Sequence, residues 1–352
     1  FNVILTFKID CKYIIRGEMI MSRKENKPKR TGLKVFGIIV LILIILLIAI
    51  IGVTFAFVNS KISKMQQVDI DENELSVSSQ AEENLQDYRN IAIFGIDSRE
   101  DTYDRGNRSD CIIIARINNK TKEVKLVSVY RDTYVNIEGH GLDKITHAYS
   151  YGGAQLAIKT LNENLDLNIK EFITVNFDAV KEIVDYIGGI DMNITSEEVS
   201  HITGISTAGT HTLTGEQALQ YARIRYATGG DYKRTERMRN VLEAVANKVK
   251  TMNISQLNNL VDELLPKVYT NITASDIFSL FPSIASFNIT DSIGWPYDVK
   301  GITLDRWYGV PTTLESNVKQ LHQEIFEDTN YEPSDRVKEI SNSIIEKTGY
   351  NN

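Results

Sequence analysis

Three apolar runs, Asn90–Ile96, Cys111–Ile117 and Val124–Val129, follow one another closely along the chain. They are rich in Ile and Val and two are nearly continuous, the pattern of strands buried on both faces of a sheet. Segments of helical period then alternate with short apolar pieces. Helices are expected at Tyr151–Leu165, Phe177–Ile187 and Thr214–Tyr221, with extended segments at Phe172–Val175 and Ile190–Ile194. Further on, Tyr232–Lys250, Ser255–Val268 and Ala274–Phe287 read as successive helices punctuated by Pro266 and Pro282. Ile302–Pro311 reads as extended and Thr313–Phe326 as a last amphipathic helix. This alternation predicts an α/β domain, a central mixed β-sheet flanked by helices.

A different pattern precedes the domain. Val35–Val58 is 24 residues without a charge, enough to cross a hydrocarbon core of ~30 Å at helical rise. A signal peptide would have an apolar region of roughly 7–15 residues and a small-residue cleavage site. Six basic residues within Arg23–Lys34 precede the span, so the positive-inside rule puts the N-terminus in the cytoplasm and the domain outside. The expected organisation is a cytoplasmic tail (1–34), a single transmembrane helix (35–58), an extracellular linker (59–87), an extracellular domain (88–326) and a polar C-terminal tail (327–352). Residues 1–18 show no domain character and begin without Met, so translation is expected to start at Met19 or Met21.

Charge sharpens this division. The chain of 352 residues carries a net charge of −7, with 42% hydrophobic and 24% charged residues. Residues 1–34 hold nine Lys/Arg against three Asp/Glu, which leaves everything after them strongly acidic. Duplex affinity rests on a basic face that neutralises many phosphates, so no nucleic-acid partner is expected for the domain. Only Cys11 and Cys111 occur, and Cys111 opens an apolar strand, where a small buried hydrophobe is expected rather than a catalytic thiol. His140, His147, His201, His211 and His322 show no metal-binding spacing.

Against the acidic background, Arg223–Arg239 places five arginines and one lysine in 17 residues. Arginine presents a planar fork that matches phosphate oxygens two at a time, and a Gly-Gly-Asp turn opening a helix adds free N–H groups. Arg223 and Arg225 alternate in an extended segment and so share a side, whereas Arg234 and Arg237 share a helix face. The competing reading is a solvated helix in which Glu236 pairs with Lys233 and Arg239. Asp97-Ser-Arg99 follows the first strand, Arg108-Ser-Asp110 precedes the second, and Arg131-Asp132 ends the third. Strand ends of α/β sheets bind ligands, and two carboxylates in one crevice suit a magnesium ion that completes its shell with water and phosphate.

The order of these motifs resembles the LytR-CpsA-Psr family of cell-wall enzymes over about Asn90 to Val249. Besides those above, the resemblance runs through Ser128–Asp132, Lys144–Tyr149, Asn176–Val180, Gly188–Asp191, Leu213–Ala218, Arg223–Tyr226 and Gly230–Arg234. It implies a magnesium-dependent phosphotransferase that moves a phosphate-linked glycopolymer, such as wall teichoic acid or capsule, from a polyprenyl diphosphate carrier to peptidoglycan. By position, Asp97 and Asp110 match the metal ligands. Arg108, Arg131, Arg223, Arg225 and Arg234 match the diphosphate-binding arginines, with Arg99 and Arg237 as helpers. Asp231 or Asp132 would accept the hydroxyl proton, and His147 would buttress the site.

One departure stands out: the family commonly has glutamine after the second helix arginine, and here Arg237 is followed by Met238, which cannot supply an amide. The lipid tail would need an apolar path, for which Phe177–Ile187 and Val241–Val249 are candidate walls. A diphosphate hydrolase and a non-catalytic lipid-carrier binding protein use the same groups. A membrane-bound transcription regulator is disfavoured, because the short cytoplasmic tail leaves no room for a DNA-reading fold.

Overall fold

The computed structural model describes residues 66–98, 103, 105–225, 230–273, 276 and 286–351, with Ala56 and Ser60 besides. The chain divides into Phe1–Val53 and Thr54–Asn352; all that follows concerns the second unit. The predicted span at Val35–Val58, Ala56 apart, lies outside the described residues, as does most of the helix expected at Ala274–Phe287. Among the described residues no helix is long and apolar enough to cross a membrane.

In chain order the elements begin with β1 (Gln66–Gln67), α1 (Ser79–Asn84), β2 (Tyr88–Ile96), β3 (Ser109–Asn118), β4 (Glu123–Val129), β5 (Tyr134–Ile137) and β6 (Gly141–Lys144). Then come α2 (Ile145–Leu165), β7 (Glu171–Asn176), α3 (Phe177–Tyr186), β8 (Ile190–Ile194), β9 (Gly209–Leu213), α4 (Gly215–Ala222), α5 (Gly230–Lys250) and α6 (Ile254–Leu264). The last are β10 (Val268–Thr270), β11 (Asn288–Trp295), β12 (Val299–Thr303), β13 (Trp307–Pro311), α7 (Leu314–Ile325) and α8 (Asp335–Thr348).

Among the described residues the central sheet has seven strands in the order β1-β10-β7-β2-β3-β4-β11. It is mixed: β2 runs parallel to β7 and antiparallel to β3, and β4 runs antiparallel to β3 and parallel to β11. Side chains of a strand alternate between faces, and here both faces are covered. Ala92, Phe94, Ile96, Ile112, Ile114, Val127 and Val129 enter a core with α2, α7 and α8. Ile91, Ile113, Ala115 and Leu126 enter a second cluster on the opposite face, where Leu242 of α5 packs. That arrangement accounts for the continuous apolar runs in the sequence.

Several elements differ from expectation. Helix α2 begins at Ile145, six residues before the predicted start, because Gly152 and Gly153 leave helical geometry and break the chain into two segments there. The segment Ile302–Pro311 is part of a hairpin, β12 against β13, rather than one extended piece. The predicted Ser255–Val268 helix stops at Leu264, and Val268–Thr270 joins the sheet. Expected as a linker, residues 59–87 contain β1, which pairs with β10, and α1, capped by the Ser78 hydroxyl. Leu75 and Leu85 there are 0% and 1% exposed. Expected as a loose tail, residues 327–352 form α8, whose Val337, Ile340 and Ile344 lie in the core. In both places a few apolar anchors sit in a polar composition, and they, not the average, determine packing.

Candidate active site

The sheet brings five strand termini to one edge. Ile96 pairs with Asn176 at the ends of β2 and β7, Ile96 faces Ser109 at the start of β3, and Val129 pairs with Trp295 at the ends of β4 and β11. Phe177, Asp97 and Arg131, which follow β7, β2 and β4, and Asp110, the second residue of β3, therefore lie side by side in strand order. At a strand spacing of about 4.8 Å, this row spans ~14 Å from β7 to β4.

Acids and arginines of the row are already paired. Arg131 donates from Nη1 to Asp110 Oδ1 at 2.5 Å, and its Nε lies 3.7 Å from Asp132 Oδ1. Lys144 Nζ approaches the same Asp132 oxygen at 2.7 Å. Toward the other end, Arg223 donates to Asp97 Oδ1 at 3.3 Å and lies 5.1 Å over the Phe177 ring. The Asp97 and Arg223 side chains are 61% and 48% exposed. Such a pair is worth at most about 1 kcal/mol, so an incoming anion can readily take over the guanidinium.

The helix arginines part company. Arg223 and Arg225 are exposed on either side of Ile224, which is 4% exposed, so the alternation read from sequence places both outward. Arg234 is buried and lies within electrostatic reach of Cys111, which directs it back toward the start of β3. Arg237 is also on this helix, three residues on. It is buried and donates to Glu198 Oε1 at 2.7 Å and to the Ile224 carbonyl at 3.3 Å. Its contacts support the Arg223–Arg225 segment from behind, so the helper role expected for it becomes one of positioning. The physical reason is the buried carboxylate of Glu198, which the sequence does not announce as its partner. Arg239, expected at most to pair with Glu236, is buried and donates to Ser292 Oγ at 2.9 Å.

Arg108 is exposed just before β3. Arg99 and the side chain of Asp231 lie outside the described residues. Met238 is buried in an apolar cluster with Val184, Leu219 and Val241, so a side chain here serves packing. The two candidate lipid-path helices meet in this same cluster, through Phe177, Val184 and Ile187 on one side and Val241, Val245 and Val249 on the other. Burial pushes the Cys111 thiol up to about 12, in keeping with an inert strand residue.

A polar group beside the row was only half visible in the sequence. Thr146 donates its hydroxyl to the Ser109 carbonyl and its N–H to the Arg131 carbonyl, tying the start of α2 to the edge. One residue on, His147 Nδ1 lies 2.8 Å from Asp143 Oδ2, and Tyr151 donates to that oxygen at 2.7 Å. Burial alone would raise the Asp143 carboxyl, but the bonds from Tyr151 and His147 outweigh it and hold it below the usual carboxylate range. The i, i+4 spacing of Asp143 and His147 was the available signal. Among the described residues no cluster of three or more His, Cys, Asp or Glu side chains is arranged to hold a metal.

The structure is that of an α/β protein with a mixed sheet, Asp–Arg pairs along one strand edge and an arginine-bearing loop behind them. The chain belongs to the LytR_cpsA_psr family, whose model matches residues 52–320. It is 35% identical to the polyisoprenyl-teichoic acid-peptidoglycan teichoic acid transferase TagT of Bacillus subtilis, over 70% of this chain and 81% of that protein. It is also 35% identical to TagU of Enterococcus faecalis, a protein of the same name class, over 70% of this chain and 82% of that one. Among solved structures, TagT with bound octaprenyl pyrophosphate superposes with a TM-score of 0.56 at 27% identity, covering 74% of this chain and all of that one.

Proposed function

We propose that this protein transfers a phosphate-linked glycopolymer from a polyprenyl diphosphate to a sugar hydroxyl of peptidoglycan. The observation that carries this reading is the row Asp97–Arg223 and Asp110–Arg131 along one sheet edge, in a chain related to named teichoic acid transferases. Two carboxylates on neighbouring strand ends are a hard-oxygen donor set that suits Mg²⁺, so Asp97 and Asp110 would hold it. The ion would neutralise phosphate charge there. Arg131 and Arg223, released from their carboxylates, then fork onto the diphosphate oxygens, with Arg108, Arg225 and Arg234 adding positive charge around them.

The acceptor oxygen forms a bond to the sugar-bearing phosphorus, the bond from that phosphorus to the bridging oxygen breaks, and polyprenyl phosphate leaves with the electron pair. Charge neutralisation and alignment dominate such a transfer, so no covalent nucleophile is needed. Asp132, beside Arg131 and Lys144, is the described carboxylate best placed to take the hydroxyl proton. The apolar tail would run toward Phe177 and the cluster behind it. With Val35–Val58 as a membrane anchor and the domain outside the cell, the site would face a carrier held in the same membrane.

Ligation of a lipid-linked polymer to peptidoglycan by the full chain tests this. Arg131→Ala and Asp97→Ala are each expected to lower the rate by ~100-fold or more, and chelation of divalent cations should do the same. Mass analysis of the product separates transfer, which leaves polymer on glycan, from hydrolysis, which frees it. Unchanged ligation in both variants would sink the assignment.

A further inference from the structure

At the β4 end of the row, just past Arg131, a cavity of about 270 Å³ opens between Tyr130, Asp132, Tyr232, Val299, Trp307 and Gly309. Its walls are aromatic. Tyr130 and Tyr232 meet edge to face at 4.5 Å between ring centres, and Tyr232 and Trp307 are 38% and 43% exposed. An exposed indole on a surface hairpin normally costs solubility and disorders easily, but this one is seated. A Cβ on Gly301 would come within 2.8 Å of Trp307 Nε1, and one on Gly309 within 3.6 Å of the same ring. Gly301, on the strand paired with that of Trp307, thus lets the indole lie against the hairpin backbone, leaving surface turned outward. The hairpin is tied to the catalytic edge, since Gly309 donates its N–H to the Asp132 carbonyl at 3.0 Å.

Flat aromatic surface beside a carboxylate is the chemistry that receives a pyranose ring: C–H faces pack on the rings while hydroxyls reach the acid. The cavity is of the size of one sugar unit. We infer that this pocket, built by Tyr130, Tyr232 and Trp307 with Asp132 among its lining residues, binds a pyranose of the acceptor glycan. The inference rests on the transfer reading for its catalytic meaning, though binding itself does not. The acceptor is favoured because the pocket lies at the opposite end of the row from Phe177 and the apolar cluster, and because Asp132, the proton acceptor of that reading, is one of its lining residues.

Tryptophan fluorescence gives a direct test, as the chain has two tryptophans and Trp295 is 0% exposed. Titrating the full chain in detergent micelles with a soluble β-1,4-linked N-acetylglucosamine tetramer is expected to change emission, and Trp307→Phe should abolish the change. In ligation assays Trp307→Ala and Tyr232→Ala should each raise the acceptor KM about tenfold, with the donor KM and binding of a polyprenyl diphosphate unaltered. Trp307→Phe should recover most of the acceptor KM, which a purely structural role would not require. No response to the tetramer together with an unmoved acceptor KM would overturn the pocket; a rise confined to the donor KM would overturn the acceptor assignment. Should the chain ligate nothing, the transfer reading fails while the titration still decides whether a sugar binds.

Discussion

Single arginines in this chain look alike in the sequence and differ in what surrounds them. Arg223 sits at the surface against an exposed carboxylate, whereas Arg237 is buried on Glu198 and the Ile224 carbonyl. Replacing them should separate catalysis from stability. Arg223→Ala is expected to leave the melting temperature nearly unchanged while cutting ligation, because an exposed pair is worth little to the fold. Arg237→Ala strands the buried Glu198 and should cost roughly 3–5 kcal/mol of stability, read by thermal denaturation. The same pair sets an acid limit. Burial alone would raise Glu198, but bonds from Thr195 and Arg237 hold it below the ordinary glutamate range. A carboxyl depressed in the fold adds stability above its unfolded value, ~4.3, and that contribution is lost as pH falls through the folded value. The melting temperature should therefore drop as pH is lowered below ~4.3, and less steeply in Glu198→Gln. Sequence spacing located Asp97, Asp110 and Arg131 at one edge because strand ends are local features. It could not foresee Glu198 under Arg237, 39 positions away, since a single buried partner leaves no periodic trace.

Among elements, the strands β2, β3, β4 and β7 were legible from apolar runs and α3, α4 and α7 from helical period. What escaped were pieces whose stability comes from their pairing: β10 on β7, β11 on β4, the short hairpin β5–β6, and β9, the partner of the expected β8. Each is short or polar on one side, so its own pattern is weak. The packing of α3 on α4 shows how closely an element can be specified without such a pattern. Gly215 donates its N–H to Asp185 Oδ1 at 2.7 Å, and a Cβ there would approach the Lys181 carbonyl oxygen to 2.1 Å. Gly215→Ala must push the helices apart. A loss of about 1–3 kcal/mol is expected, along with weaker ligation, because Arg223 caps the same helix. Chemical denaturation measures the first effect and the ligation assay the second. Equal stability of variant and parent would mean that the two helices do not approach so closely in solution.

For the whole molecule, the boundaries of the fold are where sequence composition misled most, and the C-terminal segment offers the clearest test. It was expected as a polar tail after Phe326, yet α8 closes one face of the sheet through Val337, Ile340 and Ile344, all at most 2% exposed. Asp166, at the end of α2, accepts hydrogen bonds from Tyr331 and from both the N–H and hydroxyl of Ser334. His322 of α7 stacks on Tyr331 with 3.7 Å between ring centres and contacts the Leu165 carbonyl at 2.9 Å. Three buried aliphatic side chains alone contribute roughly 1.5–3 kcal/mol each, comparable in sum to the whole margin of a domain, about 5–15 kcal/mol. Truncation after Phe326 should therefore yield protein that is insoluble or lacks a cooperative thermal transition, whereas a truly loose tail could be removed at no cost. Ile340→Ala, a milder change, should lose about 2–5 kcal/mol while leaving the catalytic edge intact, so its ligation rate at low temperature should match the parent. This face also carries a pH dependence of its own. Burial pulls the His322 imidazole below its usual value, so its neutral form is favoured in the fold. Its contribution is complete above ~6.5 and declines as pH falls. A melting temperature that decreases from pH 7 to 5 in the parent, and is flatter in His322→Gln, is the outcome that fits α7, α2 and the last helix sharing one core; a truncated chain that melts like the parent would instead return residues 327–352 to the status of a tail.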